Sequence, residues 1–246
     1  VGTDIHSSLS SSKFVSKSFN LTLDFPIFFI TLSSFSCIND VAIVDNNDTA
    51  IGHAFLFRKA IKEQFPEHNV LGEEYQNQNL KSEYLWIVDP IDGTKSFIHG
   101  NFNFGTLLCL SHNGKPIIGF ISCPLLKKRW MGIKNKGAFI NNKRIRKKTS
   151  NISLKNTVVS SSAFTAFKKK IKENKLFYKL SEKIRYYIFG GDCVQYGLLA
   201  SGRISMVVEN NLKPWDYMAL VNIIEESGGV ITDWKGKKLD IFSNGN

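Results

Sequence analysis

Apolar and polar residues follow two different periods along this chain, and the change of period divides it. From Thr49 to Phe65 apolar residues recur at helical spacing, with Ile51, Phe55, Ile61 and Phe65 roughly on one face. Pro66 stops that helix. Val70-Leu71 is a short apolar pair, a strand that delivers Gly72-Glu73-Glu74. From Tyr84 the pattern turns to β. Tyr84 to Val88 is a strand that runs into Asp89-Pro90-Ile91-Asp92-Gly93. Phe104 to Ser111 and Lys115 to Ser122 flank Asn113-Gly114, the signature of a tight hairpin. Trp130 to Ile133 and Ala138 to Ile140 form a second one.

Beyond a basic linker or exposed loop at Asn141 to Lys148, strands and helices alternate. Thr157 to Ser161 reads as a strand, Ala166 to Leu180 as a Lys-rich helix and Tyr186 to Phe189 as a strand ended by Gly190-Gly191. Asp192 can cap a helix running to about Ala200 that Gly202 closes. Ile204 to Val208 is the next strand. Asp216 can cap the helix Tyr217 to Glu226, closed by Gly228-Gly229, and Val230 to Asp233 follows as a strand. The sum is an α/β (α+β) layered fold with mixed and antiparallel sheets. Residues 1–48 are Ser-, Phe- and Asn-rich without clear periodicity. Residues 49–246 form the domain, with subdomains of about 49–145 and 146–246 joined near residue 145.

Composition changes this picture little. With 43% hydrophobic and 22% charged residues the chain can bury a core, which excludes wholesale disorder. The net charge of +11 can steer anions such as phosphate esters. The clusters Lys127-Lys128-Arg129, Lys143 to Lys148 and Lys168 to Lys172 have little aromatic interleaving and read as solvated surface, not as a specific nucleic-acid contact. Four cysteines without ligand spacing suit a reducing compartment, three of them as core thiols. Phe25 to Ile38 is apolar but short and Ser-rich, so no membrane span is expected. Lys13 and Lys17 ahead of it give a transit-like look that Asp24 opposes. The expected location is cytoplasmic, or organellar if the segment is a transit segment. His53, His68, His99 and His112 lack ligand spacing. Trp86, Trp130 and Trp234 sit in strand-like runs and read as core.

The chemistry lies in carboxylates. Asp89 and Asp92 end a buried strand, where acidic groups are costly unless a cation or hydrogen bonds compensate them. Glu73 and Asp216 likewise sit at the edges of apolar elements, beside small or turn residues. Hard cations such as Mg²⁺ take oxygen ligands of this kind, and a pair of them can orient a water and stabilise a leaving oxygen of a phosphoryl group. Thr94 can hold that water with Glu73, while the backbone of Gly93 to Lys95 can cradle phosphate oxygens. Taken singly, each of these motifs is also an ordinary turn, loop or helix cap.

In combination, Gly72-Glu73-Glu74, Asp89-Pro90-Ile91-Asp92-Gly93-Thr94 and Trp215-Asp216 with Gly228-Gly229 downstream resemble the inositol-monophosphatase-like family of magnesium-dependent phosphatases. The resemblance covers residues from about 50 to 243. It implies a five-layered αβαβα sandwich, Mg²⁺-dependent hydrolysis of a phosphate monoester with two or three ions, and a homodimer. It places metal ligands at Glu73, Asp89, Asp92, Asp216 and the Ile91 carbonyl, and catalysis at Glu73, Asp92 and Thr94. It places substrate contacts at Asp92, Gly93, Thr94, Gly191, Asp192, Glu209 and Asp216, with water attacking phosphorus directly.

Within that family, Lys95-Ser96-Phe97, Gly190-Gly191-Asp192-Cys193 with Tyr196-Gly197, and Leu212 to Tyr217 look like the histidinol-phosphatase branch. Asp192 and Glu209 offer two carboxylates to a substrate that carries an amine and an imidazole, whereas a polyol needs hydroxyl partners. The expected reaction is histidinol phosphate to histidinol and phosphate, a step of histidine biosynthesis. The alternatives are inositol 1-phosphate or another small phosphate, and a non-catalytic basic binding module on the same scaffold.

Two departures stand out. Aligned back from Phe65-Pro66, Ala50 and Ala54 fall where the family carries an acidic pair. Because the match resumes abruptly near Phe57, the preceding segment reads as a frameshifted or mis-spliced stretch; the other explanation is divergence that loses a third, water-held metal site. After Asp233-Trp234 the family adds a further strand and helix, so the domain reads as C-terminally short.

Overall fold

The computed structural model describes residues 47–73, 80–145, 153–164 and 171–245. Helix α1 (Asn47–Gln64) leads into strand β1 (Asn69–Gly72). Strand β2 (Tyr84–Asp92) is followed at once by the short helix α2 (Thr94–Ile98). Strands β3 (Gly105–His112), β4 (Lys115–Cys123), β5 (Lys128–Ile133), β6 (Gly137–Ile140) and β7 (Lys143–Arg144) continue in chain order across one sheet. Its β1–β2 pair is parallel and the rest antiparallel, the mixed sheet expected. Asn113 and Gly114, with φ of 50° and 75°, make the β3–β4 turn in the left-handed region that such hairpins require.

The second sheet is built of β8 (Val158–Ser161), β9 (Tyr186–Phe189) and β10 (Met206–Val207), parallel and in the order β10-β8-β9. Helix α3 (Ile171–Ser181) packs its Phe177 ring on Tyr187 and Phe189 of β9. Helices α4 (Asp192–Ala200) and α5 (Pro214–Glu226) lie against the first sheet, and α4 also reaches β8 and β10.

Strand alternation decides what each face of the first sheet meets. Leu85 and Ile87, with Leu107, Cys109, Ile121 and Trp130, are buried in one cluster with α4 and α5 residues Val194, Met218, Leu220 and Ile223. Trp86 and Val88, with their cross-strand partners Leu110 and Leu108, are buried on the opposite face. Helix α1, which brings buried Ala54, Phe57 and Ile61, packs against β1 and β2. Helix, sheet, helix pair, sheet and helix follow in order, an α/β layered sandwich. Helix α5 comes so close that a Cβ on Gly119 would sit 1.9 Å from the Ala219 carbonyl oxygen, and one on Gly132 2.3 Å from Asn222.

Several expectations are corrected. Helix α5 begins at Pro214 and not Tyr217, because proline is preorganised for a first helical turn and loses no hydrogen bond there. Its N-cap is Lys213, and Asp216 sits in the first turn with its carboxylate accepting the Lys213 N–H at 2.7 Å. Helix α4 is likewise capped by Gly191, with Asp192 as its first residue. Val230 to Asp233 forms no strand: Val230 is 83% exposed, and the Asp233 carboxylate gathers the N–H groups of Lys235 and Lys237 into a turn. Trp234, which follows, is not core but 38% exposed, unlike the fully buried Trp86 and Trp130. The basic loop contributes Lys143–Arg144 as an exposed edge strand, and Ile204 to Val208 shortens to Met206–Val207. Glu74, the first part of the Lys-rich helix, Arg146 to Lys148 and residues 1–46 lie outside the described residues. Among those described, no helix is long and apolar enough to cross a membrane.

Candidate functional site

Strand β2 should place residues 89 and 92 on opposite faces, being an odd number of positions apart. It does not, because the ladder to β3 slips between them: Asp89 pairs with Leu107 and Asp92 with Gly105. A bulge of this kind re-aims side chains. Thr106 Oγ1 donates to the Pro90 carbonyl at 2.9 Å inside it, and the Ile91 N–H donates to Asp89 Oδ1 at 3.0 Å. Asp89, Asp92 and Asp216 consequently each bring a carboxylate oxygen within 4.8 Å of the others. Asp216 arrives from the first turn of α5. Glu73, exposed at the end of β1 where Gly72 pairs with Val88, acts on Asp89 through its charge but is not one of the three that converge.

Burial and crowding leave these carboxyls short of compensation. Burial raises Asp89 well above the carboxylate range, and the charges of Asp92, Glu73 and Asp216 push it further. Asp92 rises to about 7 for the same first reason, with Asp216 and Asp192 adding to it. Burial also raises Asp216, against the Lys213 N–H that lowers it. An all-oxygen cluster of desolvated like charges is the donor set that a hard divalent cation fits.

The remaining expected residues surround this cluster. Gly93 caps α2 with φ of 81°, and a Cβ there would lie 2.7 Å from the Asn103 carbonyl oxygen and 3.1 Å from the Asp192 carboxylate. Thr94 Oγ1 donates to the Ile91 carbonyl at 3.0 Å, which leaves its lone pairs to accept. Gly191 and Asp192 open α4, and Asp192 adopts φ of 38°, an uncommon backbone for this residue. Glu209 is held by the Ser162 N–H and Gln195 Nε2, and burial raises its carboxyl although both bonds oppose this. With Tyr196, Leu212, Tyr217 and Trp234 it lines a cavity of about 90 Å³.

Five participants lay outside the expected set. Ser96 Oγ donates to Asp192 at 2.9 Å, and Asn103 Nδ2 ties the loop after α2 to the Gly190 carbonyl at 2.7 Å. Gln195 steadies Glu209, Cys193 lies close enough to Asp92 to counter part of the rise of its carboxyl, and Tyr196 sits within the field of Glu209, Asp92 and Asp216. Ser96, Cys193 and Tyr196 belong to sequence blocks that carry the family resemblance; nothing local marked Asn103. His68 proves to be a core residue, accepting the Trp86 Nε1–H at 3.0 Å, and His99 is an exposed one.

The chain is similar to known proteins in sequence and in overall fold. The chloroplastic bifunctional phosphatase IMPL2 of Arabidopsis thaliana is 39% identical over 180 residues, 72% of this chain and 51% of that protein, so the chain spans about half the length of this relative. A fructose-1,6-bisphosphatase/inositol-1-monophosphatase of Thermotoga maritima is 35% identical over 74% of this chain and 69% of its own. A histidinol-phosphatase of Chlorobaculum parvum is 32% identical over 77% and 73%. Among solved structures, an inositol monophosphatase from Zymomonas mobilis superposes with a TM-score of 0.78 at 30% identity, covering 93% of this chain and 92% of that one. The sequence model of the inositol monophosphatase family matches residues 38–245, from ahead of α1 to beyond α5, and this chain belongs to that family.

Proposed function

We propose that this protein hydrolyses phosphate monoesters with Mg²⁺ at the carboxylate cluster, and that histidinol phosphate is its preferred substrate. One observation carries the hydrolase reading: Asp89, Asp92 and Asp216 converge within 4.8 Å while burial holds them short of counter-charge. In this reading those three, Glu73 and the Ile91 carbonyl hold the metal. When bound, Mg²⁺ supplies Lewis-acid polarisation of the phosphoryl oxygens and a water of lowered pKa. Thr94, whose hydroxyl proton is committed to Ile91, accepts from the attacking water and orients it together with Glu73. The first turn of α2, opened by Gly93, would offer its backbone N–H groups to the phosphate. The water oxygen would form a bond to phosphorus as the ester P–O bond breaks, and the leaving alkoxide would take up the proton that the water gives up.

The substrate reading rests on charge. Asp192 and Glu209 make an acidic wall beyond the metal cluster, and the cavity next to Glu209 has Tyr196 and Trp234 in its lining. A positively charged, ring-bearing substrate complements carboxylate and aromatic faces better than a polyol does. The similarity to a histidinol-phosphatase supports it. The similarity to a fructose-1,6-bisphosphatase/inositol-1-monophosphatase favours the second reading, an inositol phosphatase. The chloroplastic relative supports an organellar location.

The test is steady-state hydrolysis of histidinol phosphate, inositol 1-phosphate and fructose 1,6-bisphosphate, with and without Mg²⁺. Histidinol phosphate should have the highest kcat/KM, and only with Mg²⁺. Asp192→Asn keeps an acceptor for Ser96 but loses the charge, and should lower that value roughly 10- to 100-fold, as for a lost charged hydrogen bond. Faster turnover of inositol 1-phosphate by the unaltered protein would overturn the substrate assignment.

A further inference from the structure

We propose that Gln195 is a positioning residue for substrate choice: its side-chain amide holds the Glu209 carboxylate in the orientation that receives the cationic part of the substrate. The inference deepens the proposed function and rests on Glu209 contacting substrate. Three elements meet at this carboxylate. Just past β10 the Val208 N–H donates to the Ser160 carbonyl at 3.0 Å and Ser161 Oγ donates to the Val208 carbonyl at 2.7 Å, so Glu209 arrives beside Ser162. The Trp234 Nε1–H donates to the Glu209 carbonyl at 2.9 Å and holds its main chain. The Glu209 side chain accepts from the Ser162 N–H and, at 2.6 Å, from Gln195 Nε2, both on the same oxygen, Oε1. Gln195 Nε2 also donates to Ser162 Oγ at 3.1 Å, and the two acceptors decide which way round the amide lies.

The physical consequence concerns recognition. Gln195 is 1% exposed, and its carbonyl oxygen is buried with no hydrogen-bond partner among the described residues. A fold rarely leaves a buried acceptor in that state without a reason. The reason here is the donor on the same amide, which an apolar side chain of similar size could not supply. Gly191 makes the placement possible, since a Cβ there would lie 2.6 Å from Gln195 Cβ and 3.2 Å from its carbonyl oxygen. Two donors on one oxygen fix the carboxylate's rotamer and leave lone pairs of Oε2 for a ligand. An acceptor oriented in advance, beside the Tyr196 and Trp234 that line the same cavity, favours an ammonium or imidazolium over a hydroxyl, because the charge-assisted hydrogen bond is the stronger.

Steady-state kinetics on the full chain at saturating Mg²⁺ test this, with histidinol phosphate set against 4-nitrophenyl phosphate, an ester with no cation or donor to offer Glu209. Gln195→Met keeps the bulk and loses the donor. It should raise KM for histidinol phosphate about tenfold, as for one weakened charged hydrogen bond, with kcat little changed. Both constants for 4-nitrophenyl phosphate should stay near those of the unaltered protein, which also reports an intact fold and metal site. Gln195→Leu serves as a second variant without the donor. With Glu209→Gln already in place, Gln195→Met should add little. Equal losses for both esters in both Gln195 variants would mark it as a residue of the fold and overturn the inference, as would an unchanged KM for histidinol phosphate. Glu209→Gln alone separates this from failure of the parent reading. Unchanged histidinol phosphate turnover there would remove Glu209 as a substrate contact, and the inference with it; a raised KM there beside an unchanged one in Gln195→Met would remove Gln195 alone.

Discussion

Asp89 shows at the scale of one residue why this site costs stability. It is 2% exposed, faces the same side as Leu85 and Ile87, and accepts the Ile91 N–H at 3.0 Å. A buried carboxylate without counter-charge opposes folding, and exchanging it for a neutral group of equal shape relieves the opposition. Asp89→Asn should therefore raise the melting temperature of the metal-free protein while abolishing Mg²⁺-dependent hydrolysis. The stabilisation should be larger at about pH 9 than at about pH 6, since the native carboxyl is charged more at the higher pH. Scanning calorimetry in chelator at the two pH values checks it, and a variant less stable at both would contradict the argument. Asp89, Asp92, Glu73 and Asp216 were legible in the sequence because each borders an apolar run, where a carboxylate is conspicuous. Asn103 and Gln195 were not, and Ser96 stood out only as part of a motif, without its partner. Their partners, Asp192, Gly190 and Glu209, mostly lie far along the chain, and a small polar residue looks alike whether it faces solvent or a carboxylate.

At the scale of elements, the bulge in β2 and the close seat of α5 bring the carboxylates together. The strands around Asn113-Gly114 were readable within a residue or two, because hairpin pairing is local and its turn chemistry specific. The bulge was not readable: Asp-Pro-Ile-Asp-Gly reads as a turn, and only the slipped pairing with β3 shows that β2 runs through to Asp92. Nor could periodicity reveal that Val230 to Asp233 joins no ladder, since strand propensity without a partner leaves only an extended segment. The seat of α5 depends on Gly119 and Gly132. A methyl group at residue 132 would meet backbone atoms of Asn222 and Ile223 at 2.3 Å, and helix backbone cannot rotate away as a side chain can. Gly132→Ala should destabilise the protein by about 3 kcal/mol and shift α5, carrying Asp216 with it. Denaturant unfolding would show the lower midpoint, and weakened Mg²⁺ binding in the folded fraction would show the shift. A loss confined to stability would mean that α5 accommodates the methyl without moving Asp216.

For the whole molecule, metal and pH act through one linkage. Asp92 is displaced from 3.8 to about 7 in the fold, chiefly by burial, and Asp89 and Asp216 are displaced in the same direction. A carboxyl whose folded value lies above its unfolded value binds its proton more tightly in the native state. Its contribution is therefore neutral below the unfolded value, and stability is lost as pH rises from 3.8 through about 7. Mg²⁺ bound at this cluster, as proposed, would reverse the sign, because it would replace the protons and its affinity would grow as they leave. At free Mg²⁺ of about 100 times Kd, the gain is about 2.7 kcal/mol, or roughly 5–10 °C for a domain of this size. The difference between melting temperatures with Mg²⁺ and with chelator should thus be small near about pH 5 and widest near about pH 8, with protons released on binding between those limits. Calorimetric titration in buffers of different ionisation enthalpy counts those protons. A melting-temperature difference that is flat across this range, with no proton release, would mean that Mg²⁺ is held by groups other than Asp89, Asp92 and Asp216. A difference that widens with pH would tie the cost of folding this acidic cluster directly to the ion that relieves it.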